Sequence, residues 1–150
     1  MIDIGCGPGM IGVALKELRW KGKLFGLDIA EKRLMKASQN SLYSSCVQAD
    51  ANSLPFGNSI FDLVLSSAMV GLTGTESIRE MIRILKSGGL LACVAGELRN
   101  RRWCRKRFQE SVQYFKDISS SQIIAQEDLG SGWKDDYDNE HYIYYLIRKK

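Results

Sequence analysis

Glycines and acidic residues in the first third of the chain have the spacing of a nucleotide-binding site. Gly5, Gly7 and Gly9 alternate with other residues directly after a short apolar segment. Glycine has no Cβ, so the backbone can turn sharply here and lie against a flat ligand. The amphipathic segment that follows predicts a helix, whose unpaired N–H groups would point at a ligand on this loop. The pattern therefore predicts a loop that binds a nucleotide-like ligand.

Three carboxylates are placed to contact such a ligand. Asp28 ends the second predicted strand, about 20 residues after the last loop glycine, which is the spacing of an acid that accepts hydrogen bonds from both ribose hydroxyls. Asp50 ends the third, where it would accept from the exocyclic amine of an adenine, with Leu54 or Phe56 against the base. Asp3 is predicted to hold loop N–H groups or to face a ligand ammonium. Each acid alone is also typical of a helix cap or a solvated loop, but their shared position at strand ends favours one site.

The elements that carry these residues alternate between strand and helix. Strands are predicted at the start of the chain and at 24–27, 45–48, 61–65, 90–94, 122–127 and 141–147. Helical spacing occupies the segment after the glycine loop and 30–42. The alternation predicts right-handed crossovers and a parallel, doubly wound α/β sheet. In such a sheet the carboxyl ends of the strands form one crevice.

Another helix is predicted before the strand at 90–94. Apolar residues at 78, 81, 82 and 85 form one stripe. Thr73 and Glu76 match a capping box at its start. The basic Lys86 and the following Gly88 and Gly89 predict its end.

Composition indicates an ordinary globular protein. The chain has 150 residues, 45% of them hydrophobic and 25% charged, which predicts one domain over 1–150. The net charge of +4 permits an anionic partner but does not require one. Four widely spaced cysteines favour reduced thiols over disulfides or a zinc site. No apolar run approaches about 18 residues and no signal peptide is visible, so we expect a soluble, cytoplasmic protein.

Five segments together carry a family resemblance. They are 3–9 (DIGCGPG), 26–29 (GLDI), 48–51 with 54–56 (QADA, LPF), 61–66 (FDLVLS) and 85–90 (LKSGGL). In this order and spacing the chain resembles the class I S-adenosylmethionine-dependent methyltransferases, particularly the type 11 group that acts on small molecules and quinones. The resemblance covers roughly the first 95 residues.

This resemblance implies a fold, a cofactor and a set of binding residues. The fold would be a Rossmann-like seven-stranded sheet with helices on both faces and an antiparallel last strand, the half 1–95 binding the cofactor and 96–150 completing the sheet beside the acceptor. The cofactor would be S-adenosyl-L-methionine, with S-adenosyl-L-homocysteine as product and no metal. The glycine loop would face the methionine moiety of the cofactor. Asp3 would lie near the amino group of this moiety, and the backbone of Ser66 would help to hold the same end. Asp28 would bind the ribose, and Asp50 together with Ala51 would bind the adenine. The implied cofactor-binding residues are Asp3, Gly5, Cys6, Gly7, Gly9, Asp28, Ile29, Asp50, Ala51 and Ser66.

The sequence does not identify a catalytic base. In methyl transfer by in-line displacement the protein mainly holds the reactants aligned and dry, and a base is needed only where the acceptor must lose a proton. His141 is predicted to be a structural or surface residue, and the loop with Asp135, Asp136 and Tyr137 to be solvated rather than to face the acceptor. The segment 66–69 is not an Asn-Pro-Pro-Tyr-like motif, which argues against methylation of amides or adenine amino groups. We expect a small-molecule acceptor.

Three alternatives stay open. Family members usually carry helices before the first strand, whereas this chain starts almost at the glycine loop. We therefore expect a crevice that is more open than in the family unless a second copy, a partner subunit or the C-terminal half covers it, and a non-catalytic cofactor-binding or scaffold protein is one alternative. Residues 7–12 also fit the Gly-x-Gly-x-x-Gly pattern of NAD- or FAD-dependent oxidoreductases, which leaves Asp50 unexplained. The basic run 99–107 with Trp103 would suit RNA methylation, although the solvated face of a helix is the favoured interpretation.

Overall fold

A seven-stranded sheet forms the centre of the computed structural model, which describes residues 1–67, 69–98, 102–130 and 140–150. The strands are β1 (Ile2–Ile4), β2 (Leu24–Asp28), β3 (Tyr43–Gln48), β4 (Phe61–Ser66), β5 (Leu85–Leu98), β6 (Ser121–Gly130) and β7 (Glu140–Lys149). The helices are α1 (Met10–Glu17), α2 (Glu31–Ser38), α3 (Val70–Thr73), α4 (Thr75–Ile84) and α5 (Arg102–Asp117). No helix in the described part of the chain is long and apolar enough to cross a membrane.

The strand order β3-β2-β1-β4-β5-β7-β6 reverses at β1. β1 pairs in parallel with β2 on one side and with β4 on the other. β7 pairs antiparallel with both β5 and β6. This confirms the expected seven-stranded sheet with an antiparallel last strand, and it places the order reversal, where such sheets bind ligands, beside the glycine loop.

The alternation of side chains along the strands divides the core between the two faces of the sheet. Ile2 and Ile4 of β1 are fully buried in the larger cluster, together with Ile78 and Met81 of α4. This buried pair confirms the apolar stripe predicted for that helix.

Helix α5 packs on the same side as α4. Its residues Phe108 and Phe115 belong to the larger cluster, and Val112 packs against it. Cys104 is fully buried as well. Cys104, Phe108, Val112 and Phe115 therefore share the face of the helix that turns toward the core.

The opposite side of the sheet carries a smaller cluster. Leu24, Leu34, Ala37 and Tyr43 are buried there with Cys6 of the glycine loop. Helix α2 ends at Ser38 rather than extending to 42. The predicted end at 42 was wrong because Asn40 forms a turn that leads into β3. Its side-chain Oδ1 accepts from the N–H of Leu42, and its carbonyl accepts from the N–H of Tyr43.

The predicted capping box at Thr73 is also wrong. Thr73 ends the short helix α3, and its Oγ1 lies 3.3 Å from the Met69 carbonyl and 2.7 Å from Ser77 Oγ. The N-cap of α4 is Gly74, with φ 87° and no side-chain cap. Thr73 does not cap α4 because its hydroxyl is already bonded to the Met69 carbonyl, at the start of α3, and to the Ser77 hydroxyl in α4.

The end of α4 comes earlier than predicted. The helix stops at Ile84, and Leu85 is already opposite Phe61 in the sheet. Gly88, with φ 77°, lies within the irregular first part of β5. The glycines therefore shape the entry to a strand, and not the end of the helix.

Candidate functional site

The glycine loop is fixed by hydrogen bonds to the neighbouring strand. The N–H groups of Gly5 and Cys6 both donate to the carbonyl of Leu27 in β2, at 2.7 and 2.9 Å, and the N–H of Gly9 donates to the carbonyl of Cys6 at 2.9 Å. Gly5 has φ 74°, and a Cβ there would lie 2.8 Å from Sδ of Met69. A side chain at Gly5 would thus be strained and would collide with Met69.

Asp28 connects this loop with helix α2. Its Oδ2 accepts from the N–H of Gly7 at 2.7 Å, and its Oδ1 accepts from the N–H of Ala30 at 2.8 Å. The residue is only 8% exposed. A carboxylate oxygen has a second lone pair, so Asp28 can hold the loop and still accept hydrogen bonds from a ligand.

Asp3 lies beneath the loop, in β1, and is 1% exposed. The hydroxyl of Tyr43 donates to its Oδ2 at 2.7 Å and accepts from the N–H of Gly12 at 3.3 Å. Asp3 Oδ1 has no hydrogen-bond partner in the described part of the chain. Burial raises the pKa of Asp3 to about 6, although the Tyr43 hydrogen bond opposes the increase.

This arrangement corrects one prediction. Asp3 does not bond loop N–H groups directly, because Tyr43 lies between it and helix α1. A Cβ at Gly12 would lie 2.5 Å from the Tyr43 ring, so glycine lets the helix approach the ring closely. The sequence did not reveal Tyr43, whose only signal is an aromatic residue just before the predicted third strand.

The thiol of Cys6 belongs to the core rather than to a ligand surface. Cys6 is 5% exposed and packs in the smaller cluster. Burial raises its pKa to about 12, so the thiol stays protonated at neutral pH. No disulfide joins the chain's four cysteines, all of which are described residues.

A crevice of about 530 Å³ opens at the carboxyl ends of the central strands. This volume lies within the range of about 300–1,000 Å³ that small-molecule sites have. The crevice is lined by Gly5, Leu27, Asp28, Ile29, Arg33, Ala49, Asp50, Ala51, Asn52, Ser67, Met69, Leu72, Thr73 and Arg107. It therefore runs from the end of β3, across β2 and β1, to α3 and α5.

The structure brings half of the predicted cofactor-binding residues to this crevice. The residues that line it are Gly5, Asp28, Ile29, Asp50 and Ala51. Asp3, Cys6, Gly7, Gly9 and Ser66 are not among the lining residues of the described chain. Ser66 is 2% exposed, its Oγ has no partner within the described residues, and the neighbouring Ser67 reaches the crevice instead.

The segment after β3 is an Asx turn that presents an unused acceptor. Oδ1 of Asp50 accepts from the backbone and side-chain N–H groups of Asn52, at 2.8 and 3.0 Å. Oδ1 of Asn52 is buried and has no partner among the described residues. Leu54 and Phe56, expected against an adenine base, pack elsewhere: Leu54 is in the core and Phe56 makes an edge contact with Phe61. The exposed Ile29 is one of the apolar side chains that line the crevice instead.

Helix α4 holds this segment in place through Arg83 and Glu80. The guanidinium of Arg83 donates to the carbonyls of Phe56 and Leu54 at 2.8 and 3.1 Å. Glu80 Oε2 accepts the N–H of Leu54 at 2.7 Å, and Oε1 accepts from Arg83 Nε at 2.6 Å. Sequence reasoning missed this clamp, although acid and base three residues apart on a helix are its local signal.

At its other end the crevice meets α5. Arg107 donates from Nη1 to the carbonyl of Leu72 at 2.6 Å, and its guanidinium lies 5.4 Å from the centre of the Trp103 ring. Two other cations of the basic run are ion-paired, Arg105 with Glu97 at 2.9 Å and Lys106 with Glu110 at 3.8 Å. The helix exposes its charges as predicted, and residues 99–101 of the run lie outside the described residues.

His141 is not among the described residues that line the crevice. It bonds to Asp128 at 2.9 Å and its ring lies 5.8 Å from that of Phe108. This agrees with the structural role predicted for it. Asp135, Asp136 and Tyr137 lie outside the described residues.

Comparison with known proteins identifies a family over the part of the chain that forms this site. Residues 2–93 match the family described as "Methyltransferase domain". The demethylmenaquinone methyltransferase of Desulfitobacterium hafniense is 35% identical over 100 residues, which are 61% of this chain and 40% of that protein. The human protein named arginine-hydroxylase NDUFAF5, mitochondrial, is 42% identical over 91 residues, which are 59% of this chain and 26% of that protein. The chain thus spans less than half the length of these curated relatives.

The fold is shared with solved structures of low sequence identity. Geranyl diphosphate C-methyltransferase from Streptomyces coelicolor, solved with Mg²⁺, geranyl diphosphate and S-adenosyl-L-homocysteine, superposes with a TM-score of 0.76 at 13% identity. The superposition covers 99% of this chain and 72% of that one. This likeness extends the agreement in fold beyond residue 93 to β6 and β7.

Proposed function

The chain belongs to the methyltransferase domain family that its residues 2–93 match, and we propose that it binds S-adenosyl-L-methionine and transfers the methyl group to a small-molecule acceptor. The observation that carries this proposal is the placement of Asp28. Its carboxylate is nearly buried, bonds the glycine loop and lines the crevice at the point where the strand order reverses. An acid in this position is the ribose-binding group of nucleotide sites in such sheets.

The residues around the crevice fit the adenosine part of this cofactor. Asp28 has lone pairs left to accept from the ribose hydroxyls. Ile29 provides an apolar surface for the base. The buried Oδ1 of Asn52, which has no partner in the described chain, would accept from the exocyclic amine beside Asp50 and Ala51.

The methionine part would lie along the glycine loop. Gly7 leaves open space beside the backbone there, and Met69 packs against Gly5 from the β4 side. Asp3 supplies a buried carboxylate whose Oδ1 has no partner within the described residues, and an ammonium group would compensate that charge. We propose that Asp3 binds the amino group and that the Ser66 backbone holds the same end of the cofactor.

The chain contributes to catalysis by positioning the two reactants and by excluding water from them. S-adenosylmethionine supplies a methyl group on a sulfonium: the bond from the acceptor's nucleophile to the methyl carbon forms as the carbon–sulfur bond breaks, and the electron pair stays on sulfur. Met69 and Leu72 give the crevice an apolar wall beyond the glycine loop. Alignment of two bound reactants in such a place supplies much of the rate enhancement. We assign residues 1–95 to cofactor binding and 96–150, through α5, to the acceptor side of one domain.

Calorimetric titration tests the cofactor. The chain is titrated with S-adenosylmethionine, S-adenosylhomocysteine, NAD and FAD, beside the variants Asp28→Ala and Asp62→Ala. We expect the first two to bind, with affinity falling at least about tenfold in Asp28→Ala because hydrogen bonds to a charged group are lost. Asp62 is an exposed carboxylate of β4, so its variant should bind like the unmodified chain.

Two results would contradict the proposal. Binding of NAD or FAD in place of the sulfonium compound would indicate an oxidoreductase. Cofactor binding without transfer of a labelled methyl group to quinol, carboxylate or amine acceptors would favour a non-catalytic protein. Circular dichroism of each variant separates lost binding from lost folding.

A further inference from the structure

Arg107 is a cation at the acceptor end of the crevice whose charge the described residues leave unpaired. We propose that it binds an anionic group, a carboxylate or a phosphate, of the methyl acceptor, and so selects acceptors that combine such a group with an apolar body. This inference rests on the proposed methyl transfer and adds the class of acceptor to it.

The position of Arg107 follows from the topology. Of the proposed cofactor residues, Asp28 ends β2 and Asp50 follows β3, on one side of β1. Arg107 enters the crevice from α5, on the other side of β1, next to Leu72 and Thr73 of α3. A cofactor bound at the former end leaves the latter end for the second reactant.

The guanidinium is held in place without being neutralised. Its Nη1 donates to the carbonyl of Leu72, and its Cζ lies 5.4 Å from the centre of the Trp103 ring. No carboxylate lies within ion-pairing distance of it in the described ranges, whereas Arg105 and Lys106 on the same helix both have acidic partners. Arg107 is therefore a cation of α5 that lines the crevice and has no acidic partner among the described residues.

The surroundings define what the ligand must carry. A guanidinium offers five N–H donors in a planar fork that matches carboxylate and phosphate oxygens, and here one donor is used by Leu72. Met69 and Leu72 add apolar side chains to the same crevice, and Ser67 adds a hydroxyl. The acceptor should therefore present an anion to Arg107 and an apolar segment to Met69.

Binding of simple probes tests this assignment. The chain is saturated with S-adenosylhomocysteine and titrated with hexanoate, hexyl phosphate and the uncharged hexanamide, followed by NMR. The same titrations are made on Arg107→Gln and on Arg102→Gln, which changes an exposed arginine of α5 outside the crevice lining. We expect hexanoate or hexyl phosphate to bind and hexanamide to bind at least about tenfold more weakly. Which of the two anions binds more tightly identifies the anionic group.

The two variants show whether Arg107 is responsible for binding of the anionic probes. Arg107→Gln should lose about ten- to a hundredfold in anion affinity, and Arg102→Gln should lose none. Equal binding of hexanamide, no binding of either anion, unchanged affinity in Arg107→Gln, or equal losses in both variants would each overturn the proposal. The affinity for S-adenosylhomocysteine is measured first in the unmodified chain and in every variant. If the unmodified chain does not bind S-adenosylhomocysteine, the methyl-transfer proposal is refuted. If it binds the cofactor but not the anions, only the role of Arg107 is refuted.

Discussion

Replacement of Asp3 by asparagine should make the protein more stable at neutral pH. The carboxylate is 1% exposed, and only its Oδ2 has a partner, Tyr43, among the described residues. A buried charge with one hydrogen bond destabilises a fold. Asparagine keeps an oxygen for Tyr43 and resembles the protonated acid in size and polarity.

The magnitude follows from the pKa of Asp3. Burial raises it to about 6 in the folded protein, whereas an unfolded chain gives about 3.9. The folded state therefore binds the proton more tightly, so the stability that Asp3 allows is fully present below about pH 4 and is lost as pH rises through 6. The loss amounts to about 3 kcal/mol, since one pKa unit corresponds to about 1.4 kcal/mol.

Urea unfolding of the unmodified chain and of Asp3→Asn between about pH 4 and pH 8 measures this difference. The two free energies of unfolding should agree near pH 4 and differ by about 3 kcal/mol in favour of the variant above pH 7. Asp62→Asn, a change at an exposed carboxylate, should show no such pH-dependent gain. A constant difference across the pH range, or a variant less stable at pH 7, would refute the reasoning. If Asp3 binds the cofactor's ammonium, the stabilised variant should bind S-adenosylhomocysteine more weakly.

Two further changes address residues that the sequence did not single out. Arg83→Gln should weaken S-adenosylhomocysteine binding by about tenfold, because the carbonyls of Leu54 and Phe56 lose their donors. Calorimetry measures this affinity, and Arg79→Gln, on the exposed face of the same helix, provides the control. Equal affinity in both variants would count against the clamp. Tyr145→Phe should leave the free energy of unfolding unchanged or raise it by up to about 2 kcal/mol, because the hydroxyl is buried without a partner in the described chain; urea unfolding that shows a loss would mean that the hydroxyl is satisfied in solution.

The sequence was sufficient for the features that depend on local periodicity. The glycine loop, the acid that ends β2 and the alternation of strands and helices all follow from short-range patterns. Asp28 and Asp50 meet at one crevice because parallel strands bring their carboxyl ends to the same edge. The family comparisons and the structure confirm this fold, while the binding roles of the individual residues stay predictions.

Residues that act through long-range contacts were not found in this way. Tyr43 reaches Asp3 across the smaller cluster, and Arg83 reaches backbone carbonyls more than 20 positions earlier in the chain. Neither contact leaves a periodic trace in the sequence. The capping box was predicted wrongly because a local motif was not sufficient. Thr73 and Glu76 match the motif, but Thr73 belongs to the short helix α3, and its hydroxyl bonds to Met69 and Ser77 instead of capping α4.

The position of β7 between β5 and β6 sets an order for local opening. β6 pairs with β7 and has no other strand neighbour in the described sheet. Any fluctuation that detaches β7 from β5 therefore leaves β6 without support, whereas β6 can fray alone. We expect this fraying to lower the protection of the β6 backbone amides against hydrogen exchange. Since α5 connects β5 to β6 and carries Arg107, the end of the crevice that Arg107 lines is joined to this edge of the sheet, whereas Asp28 ends β2, beside the central strand β1.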